Sequence, residues 1–147
     1  MIFITHVLAG ILFASYFSNN KIAIAIAALF AALPDIDMVK SKAGRNLQPF
    51  STLAAFFFRH RGFLHTVIFT AIVYFAVNYL VSAPIAAAAT MGYSSHLLLD
   101  AVTKEGIRPL WPLSNFKIRG FIKTGGFLEK IVLATLAILL LTRLKFT

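Results

Sequence analysis

The residues of this chain that are best suited to chemistry are its four histidines and three of its five acidic residues. All seven lie in four short motifs, which are Thr5-His6, Leu33-Pro34-Asp35-Ile36-Asp37, His60-Arg61-Gly62-Phe63-Leu64-His65 and Ser95-His96-Leu97-Leu98-Leu99-Asp100. Placing carboxylates and imidazoles in apolar surroundings costs free energy, so their clustering in a hydrophobic chain predicts a shared functional site. Groups of these types can bind divalent cations or transfer protons.

The most regular of the motifs is the pair His96 and Asp100, four positions apart in a stretch that we predict to be helical. Residues at this spacing share one helix face, so both side chains can bind one ion. A His–Asp pair can also satisfy itself by hydrogen bonding. Small and polar residues precede the pair and favour a close-packed interior face, namely Gly92, Tyr93, Ser94 and Ser95.

Asp35 and Asp37 follow a proline that ends the preceding helical stretch. In an extended or turning backbone, both carboxylates can converge on one cation or on a pair of cations. The alternative is a helix end that reaches the interface with two solvated carboxylates.

The third motif places His60 and His65 five positions apart. This is too far for one helical face, but it suits a shared site if a helix starts near Gly62. Arg61 could then bind an anionic oxygen with two parallel hydrogen bonds. In the alternative interpretation, Arg59 and Arg61 only fix the membrane topology, and the histidines lie at the interface.

Two further residues are weaker candidates. His6 is a candidate acid–base residue or a satisfied interior histidine. Glu129 is an additional candidate ligand, with pairing to Lys123 or Lys130, or capping of its own helix, as alternatives.

The chain has no cysteine, so a thiolate zinc site is excluded. Nitrogen and oxygen ligands favour one or two divalent metal ions, with zinc, manganese or magnesium as the candidates. Two such ions can activate water and clamp both oxygens of a displacement reaction.

The composition predicts an all-α integral membrane protein, because 59% of the 147 residues are hydrophobic and only 13% are charged. We predict a single transmembrane domain, residues 1–147, with spans at about 2–17, 22–36, 63–81, 84–102 and 127–142. The second and fifth stretches are short, so four spans plus one interfacial segment is the alternative. The first stretch lacks the positive charges of a signal peptide, and we expect it to be retained as a helix.

This order of spans brings every candidate ligand to one membrane face, together with loops 38–61 and 103–126. The cations of those loops are Lys40, Lys42, Arg45, Arg59, Arg61, Lys104, Arg108, Lys117, Arg119 and Lys123. The opposite face has Lys21, Arg143 and Lys145. By the positive-inside rule, we expect a multi-pass protein of the cytoplasmic (inner) membrane whose site faces the cytoplasm.

The four motifs, in this order, resemble those of the LexA-regulated, membrane-bound, metal-dependent hydrolase family (YdjM-like). Thr103-Lys104-Glu105-Gly106 and Trp111-Pro112 extend the resemblance, which covers about residues 5–112. It implies a hydrolase in the cytoplasmic membrane.

We therefore expect a membrane-embedded hydrolase that cleaves a phosphoester of a lipid or amphiphilic substrate with metal-activated water. The expected metal ligands are Asp35, Asp37, His65, His96 and Asp100. His60 would act as acid or base, and Arg61 would stabilise anionic oxygens. The alternatives are a structural staple between helices and, less favoured because the polar groups lie at one face, a metal-ion or proton transporter.

The expected partners are the lipid bilayer and anionic headgroups, which the loop lysines and arginines would bind. Nucleic acid is not expected, because the loops mix aromatic residues with cations as segments at headgroup level do. The sequence is compatible with an oligomer.

Overall fold

A computed structural model describes residues 1–35 and 62–145 of the chain. The described residues form five α-helices: α1 (Phe3–Phe17), α2 (Lys21–Ala32), α3 (Val67–Leu80), α4 (Ala83–Ala101) and α5 (Phe127–Lys145). Two short 3-10 turns, Leu33–Asp35 and Phe63–His65, flank the gap between the two described parts. Within these parts there are isolated β-bridges but no strands, so the predicted all-α class is confirmed there.

The end of α2 and the start of α3 each differ by four residues from the predicted stretches, and α5 ends at Lys145 instead of 142. The stretch predicted at 63–81 begins as a 3-10 turn, and α3 starts only at Val67. Thr66 separates the two because its backbone is extended and its Oγ1 accepts a hydrogen bond from the Phe69 N–H at 3.1 Å. This is the N-cap arrangement, which satisfies a donor in the first helical turn. The stretch predicted at 22–36 likewise leaves the α-helix after Ala32, two residues before Pro34.

Helix α4 lies at the centre of the bundle and packs against α1, α2 and α3, while α5 packs against α1. Contact between α4 and α2 is very close at Gly92, where an added Cβ would lie 2.0 Å from the Ala27 carbonyl oxygen. Gly10 of α1 makes a similar approach to α2 at Ala31. Small residues thus let three helix backbones approach one another, as the Gly- and Ala-rich sequence of these helices favours.

In the described part of the chain, none of the five helices has both the length and the apolar character needed to cross a membrane, in contrast to the spans predicted from the sequence.

The α4–α5 loop, residues 102–126, is folded on itself by backbone hydrogen bonds. Thr103 and Ile122 form a parallel bridge, and Ile107 and Ile118 form an antiparallel one. Gly106 has a φ of +64°, and a Cβ there would lie 2.1 Å from the Ile118 carbonyl oxygen. Glycine is therefore required at this position both by the backbone conformation and by the close approach of the chain.

Candidate metal centre

Five of the predicted site residues converge at one end of the bundle, and they come from four separate segments of the chain. These residues are His6 on α1, Asp35 in the turn after α2, His65 in the turn before α3, and His96 and Asp100 near the end of α4. Four of the five residues are buried, and the Asp35 side chain is 10% exposed. The cluster is therefore part of the protein interior.

His96 lies at the middle of the cluster. Its Nε2 atom is 3.3 Å from His65 Nε2 and 3.8 Å from an oxygen of each carboxylate, Asp35 Oδ1 and Asp100 Oδ2. Its other ring nitrogen, Nδ1, is 2.7 Å from the Ala31 carbonyl oxygen. Because a carbonyl can only accept, Nδ1 carries the proton, and the Nε2 lone pair of a neutral ring faces the cluster. A histidine held in this way has the orientation of a metal ligand.

His6 lies flat against His96, with ring centroids 3.7 Å apart and an interplanar angle of 19°. Its Nε2 atom is 3.4 Å from Asp100 Oδ1 and 3.9 Å from Asp35 Oδ2. Although both ring nitrogens are buried, neither makes a hydrogen bond within the part of the chain that the structure describes. A buried polar group without such a bond is costly unless a ligand satisfies it.

The turn before α3 positions His65, and the end of α4 positions Asp100. The Tyr93 hydroxyl donates a hydrogen bond to the Leu64 carbonyl, which fixes the turn that carries His65 against α4. Asp100 Oδ2 lies 3.7 Å from His65 Nε2, and Asp100 Oδ1 accepts from the Met1 amine at 2.5 Å. The sequence did not indicate the Met1 contact, because side-chain patterns carry no information on where a backbone amine lies.

The comparisons with known proteins agree with the motifs. The family model described as "YdjM inner membrane protein" matches residues 1–146. The chain belongs to this family. No solved structure is significantly similar to it.

Relatives of this YdjM-family chain include the "Uncharacterized protein YvsG" of Bacillus subtilis, which is 36% identical over 142 residues covering 91% of this chain and 88% of the relative. The "Inner membrane protein YdjM" of Escherichia coli is 36% identical over 92 residues, 58% of this chain and 47% of that protein. The Shigella flexneri protein of the same name matches equally. The match therefore spans about half the length of these two proteins.

The geometry of this YdjM-family cluster fits a divalent cation. Tetrahedral coordination with metal–nitrogen bonds of about 2.0–2.1 Å places neighbouring ligand atoms about 3.3 Å apart. The five side chains approach one another at 3.3 to 3.9 Å. Among residues 1–35 and 62–145, two groups have all their ligand atoms within 4.8 Å of one another, and His96 belongs to both of them. These groups are His6, His96 and Asp100, and Asp35, His65 and His96.

The negative charge of the cluster is also suited to a divalent cation. Asp35 and Asp100 bring two carboxylates to the cluster, and imidazoles that bind a metal are neutral. The Met1 ammonium group already lies 2.5 Å from Asp100 Oδ1, and a divalent cation would add coordination bonds to both carboxylates. The residues present therefore fit one divalent cation; a second cation would need ligands other than His96, whose Nε2 atom has a single lone pair.

Three predicted site residues, Asp37, His60 and Arg61, lie outside the described residues. Glu129 is fully buried but lies apart from the groups that could hold a metal ion among the described residues. Its two oxygens accept hydrogen bonds from the backbone N–H groups of Ile2 and Gly125, each at 2.5 Å. Glu129 thus connects the start of α5 to the start of α1, which is close to the capping role considered as an alternative.

Proposed function

We propose that this chain is an inner-membrane, metal-dependent hydrolase that cleaves a phosphoester of a lipid or amphiphilic substrate. The observation that carries the proposal is the convergence of three imidazoles and two carboxylates in one buried cluster, with ligand atoms at metal-ligand separations. Structural hydrogen bonding alone does not account for this cluster, because both nitrogens of the His6 ring are without hydrogen bonds in the described part of the chain.

In this proposal His65, His96, Asp35 and Asp100 hold a cation, and His6, whose Nε2 atom lies 3.4 Å from Asp100 Oδ1, is a further candidate ligand. When bound, zinc, manganese or magnesium would act as a Lewis acid on a phosphoryl oxygen and activate water. The Ala31 carbonyl keeps the His96 ring in the ligating tautomer.

Four residue roles from the sequence stay predictions. His60 would transfer a proton, and Arg61 would bind an anionic phosphoryl oxygen. Asp37 would be a further ligand, and His6 would act as an acid or base in addition to its place in the cluster.

The inner-membrane location is supported by the family and by the outward faces of the helices. Large apolar side chains are exposed on several helices, including Phe17 at 71%, Phe75 at 68%, Tyr79 at 89% and Leu141 at 62%. Such surfaces are costly in water and favourable in lipid. We propose that the cluster lies on the cytoplasmic side of the membrane, because the α4–α5 loop at that end carries five cations.

A structural metal site is the second candidate, and the burial of the cluster favours it. His6 and His96 are fully buried and Asp100 is 1% exposed, whereas a catalytic site must keep a coordination position open to water or substrate. Asp35, with a side chain that is 10% exposed, is the ligand nearest to solvent. Any open position would therefore lie on the Asp35 side of the cluster.

Phosphate release from phosphatidic acid and other lipid phosphoesters in mixed micelles separates the two candidates. The purified chain is expected to hydrolyse a member of the panel with zinc, manganese or magnesium present, and to stop when a chelator is added. His96→Gln is expected to lower the rate at least about 100-fold, while the matched carboxylate change Glu105→Gln, at an exposed loop residue, leaves it unchanged. Bound metal without turnover of any member would replace the hydrolase by a structural site.

A further inference from the structure

The α4–α5 loop presents a fixed surface, because backbone hydrogen bonds join its two halves and connect it to the start of α3. Ile107 and Ile118 exchange two backbone hydrogen bonds, of 2.8 and 2.9 Å. The Gly120 N–H donates to the Thr103 carbonyl at 2.9 Å, and a Cβ at Gly120 would lie 2.3 Å from the Val102 carbonyl oxygen. Ile107 and Ile122 are buried beneath the loop. The outward side chains are therefore held by a folded segment.

The outward side chains of this loop are strongly cationic. Five basic residues are exposed, which are Lys104, Arg108, Lys117, Arg119 and Lys123. Glu105 is the one acidic residue of the loop sequence, and it accepts a hydrogen bond from the Thr124 hydroxyl at 3.1 Å. Charge of this density attracts phosphate groups.

Large apolar side chains alternate with these cations. Leu113 is 82% exposed, Phe116 61%, Ile118 42% and Phe121 71%. Lys117 and Arg119 lie between Phe116 and Phe121 in the chain. Aromatic rings alone would suit stacked nucleic-acid bases, but the aliphatic members of the set gain most from a hydrocarbon environment. Cations beside exposed aliphatic and aromatic residues match the boundary between lipid headgroups and acyl chains.

We propose that the α4–α5 loop is a binding surface for anionic phospholipids. Lys117 and Arg119 contact the headgroup phosphates, and Phe116 and Phe121 enter the acyl boundary. The proposal rests on the membrane location proposed above, but it requires neither a metal nor hydrolysis. Thr103, the third residue after Asp100, donates a hydrogen bond from its Oγ1 to the Asp100 carbonyl at 2.7 Å. The loop that carries the lipid surface therefore begins next to the metal centre.

The single tryptophan of the chain, Trp111, lies in this loop and reports on its lipid neighbours. The purified full-length chain is reconstituted into vesicles that contain brominated phosphatidylglycerol or brominated phosphatidylcholine at equal mole fractions. Quenching of Trp111 fluorescence then gives the relative association constant of the two lipids. We expect a preference for phosphatidylglycerol that weakens at high ionic strength, because salt screens exposed charges.

Removing loop charge is expected to remove the preference. Lys117→Gln/Arg119→Gln should lower the relative association constant by about fivefold for each cation removed. The control Lys21→Gln/Lys145→Gln removes the same charge from exposed residues outside the loop and should leave it unchanged. Metal content is expected to stay the same in both variants, so failure of the metal centre and failure of the lipid surface are distinguishable.

Three results would overturn the proposal. The first is equal quenching by the two lipids in the parent chain, and the second is an equal loss of preference in both double variants. The third is failure of the parent to float with vesicles of either composition. If the parent shows no lipid preference but binds a short single-stranded oligonucleotide in detergent, and loses that binding in Lys117→Gln/Arg119→Gln, the surface belongs to nucleic acid instead.

Discussion

Gly92→Ala is the substitution that most sharply connects helix packing to the metal centre. An added Cβ would lie 2.0 Å from the Ala27 carbonyl oxygen, whereas Cβ atoms essentially never come within 3.0 Å of another heavy atom. Helices α2 and α4 must therefore separate by about 1 Å. One helical turn further along both helices, the Ala31 carbonyl holds His96 Nδ1 at 2.7 Å. A displacement of this size takes that hydrogen bond beyond its useful range.

The expected loss of stability combines two unfavourable contributions and one favourable one. Overpacking costs about 1–3 kcal/mol, and the lost hydrogen bond costs about 1 kcal/mol more. Replacing glycine by alanine within a helix returns about 1 kcal/mol. We therefore expect a net loss of about 1–3 kcal/mol. Loss of an outer partner of a ligating histidine is expected to weaken metal binding by about 10- to 100-fold.

The assay is a pair of measurements on each variant in detergent: the melting temperature of the metal-free protein and its metal affinity by competition with a chelator. Gly125→Ala is the matched control. Its φ of +76° makes alanine strained there, but a Cβ would meet nothing within 4 Å. Both variants should melt at a lower temperature, and only Gly92→Ala should lose metal affinity. An unchanged metal affinity in Gly92→Ala, or equal weakening in both variants, would refute the coupling.

Three further substitutions test individual hydrogen bonds by thermal unfolding. Thr66→Ala removes the α3 N-cap and should cost about 1 kcal/mol, which Thr66→Ser should largely restore; equal melting of the two variants would contradict the cap. Glu129→Gln weakens the hydrogen bonds that the Ile2 and Gly125 N–H groups donate to the Glu129 carboxylate, and it should cost about 1–3 kcal/mol of stability. Metal content should stay unchanged, and loss of metal would indicate that Glu129 is a ligand. Arg143→Gln removes hydrogen bonds to the Ser15 carbonyl and to Asn19 and should cost about 1 kcal/mol; a melting temperature equal to that of the parent would contradict this estimate.

The helical pattern was accessible from the sequence because it depends on local signals. Pro34 limited α2, Pro84 marked the start of α4 within one residue, and long apolar runs indicated the other helices. The predicted start of α3 was wrong because this boundary depends on hydrogen bonds, and a run of apolar residues does not reveal these. Phe63 and Leu64 continue the apolar run of α3, yet the extended backbone at Thr66 interrupts the helix there.

The members of the cluster could be predicted from residue types, but the distances and contacts between them became apparent only in the tertiary structure. The i, i+4 spacing of His96 and Asp100 predicted their common face. No spacing could predict the stacking of His6 on His96, because α1 and α4 are far apart in the chain and meet only through tertiary packing. The Ala31 carbonyl and the Met1 amine are backbone groups, so their roles at His96 and Asp100 left no mark in the pattern of side chains.

Bound metal in the purified chain tests the central claim most directly. The parent and Glu105→Gln, purified in mild detergent and incubated with zinc, manganese or magnesium before desalting, should each retain about one or two equivalents by elemental mass spectrometry. Asp35→Asn/Asp100→Asn, which removes both carboxylates from the cluster, should retain none while still unfolding cooperatively. Absence of metal from the parent after all three incubations, or full retention in the double variant, would contradict the account.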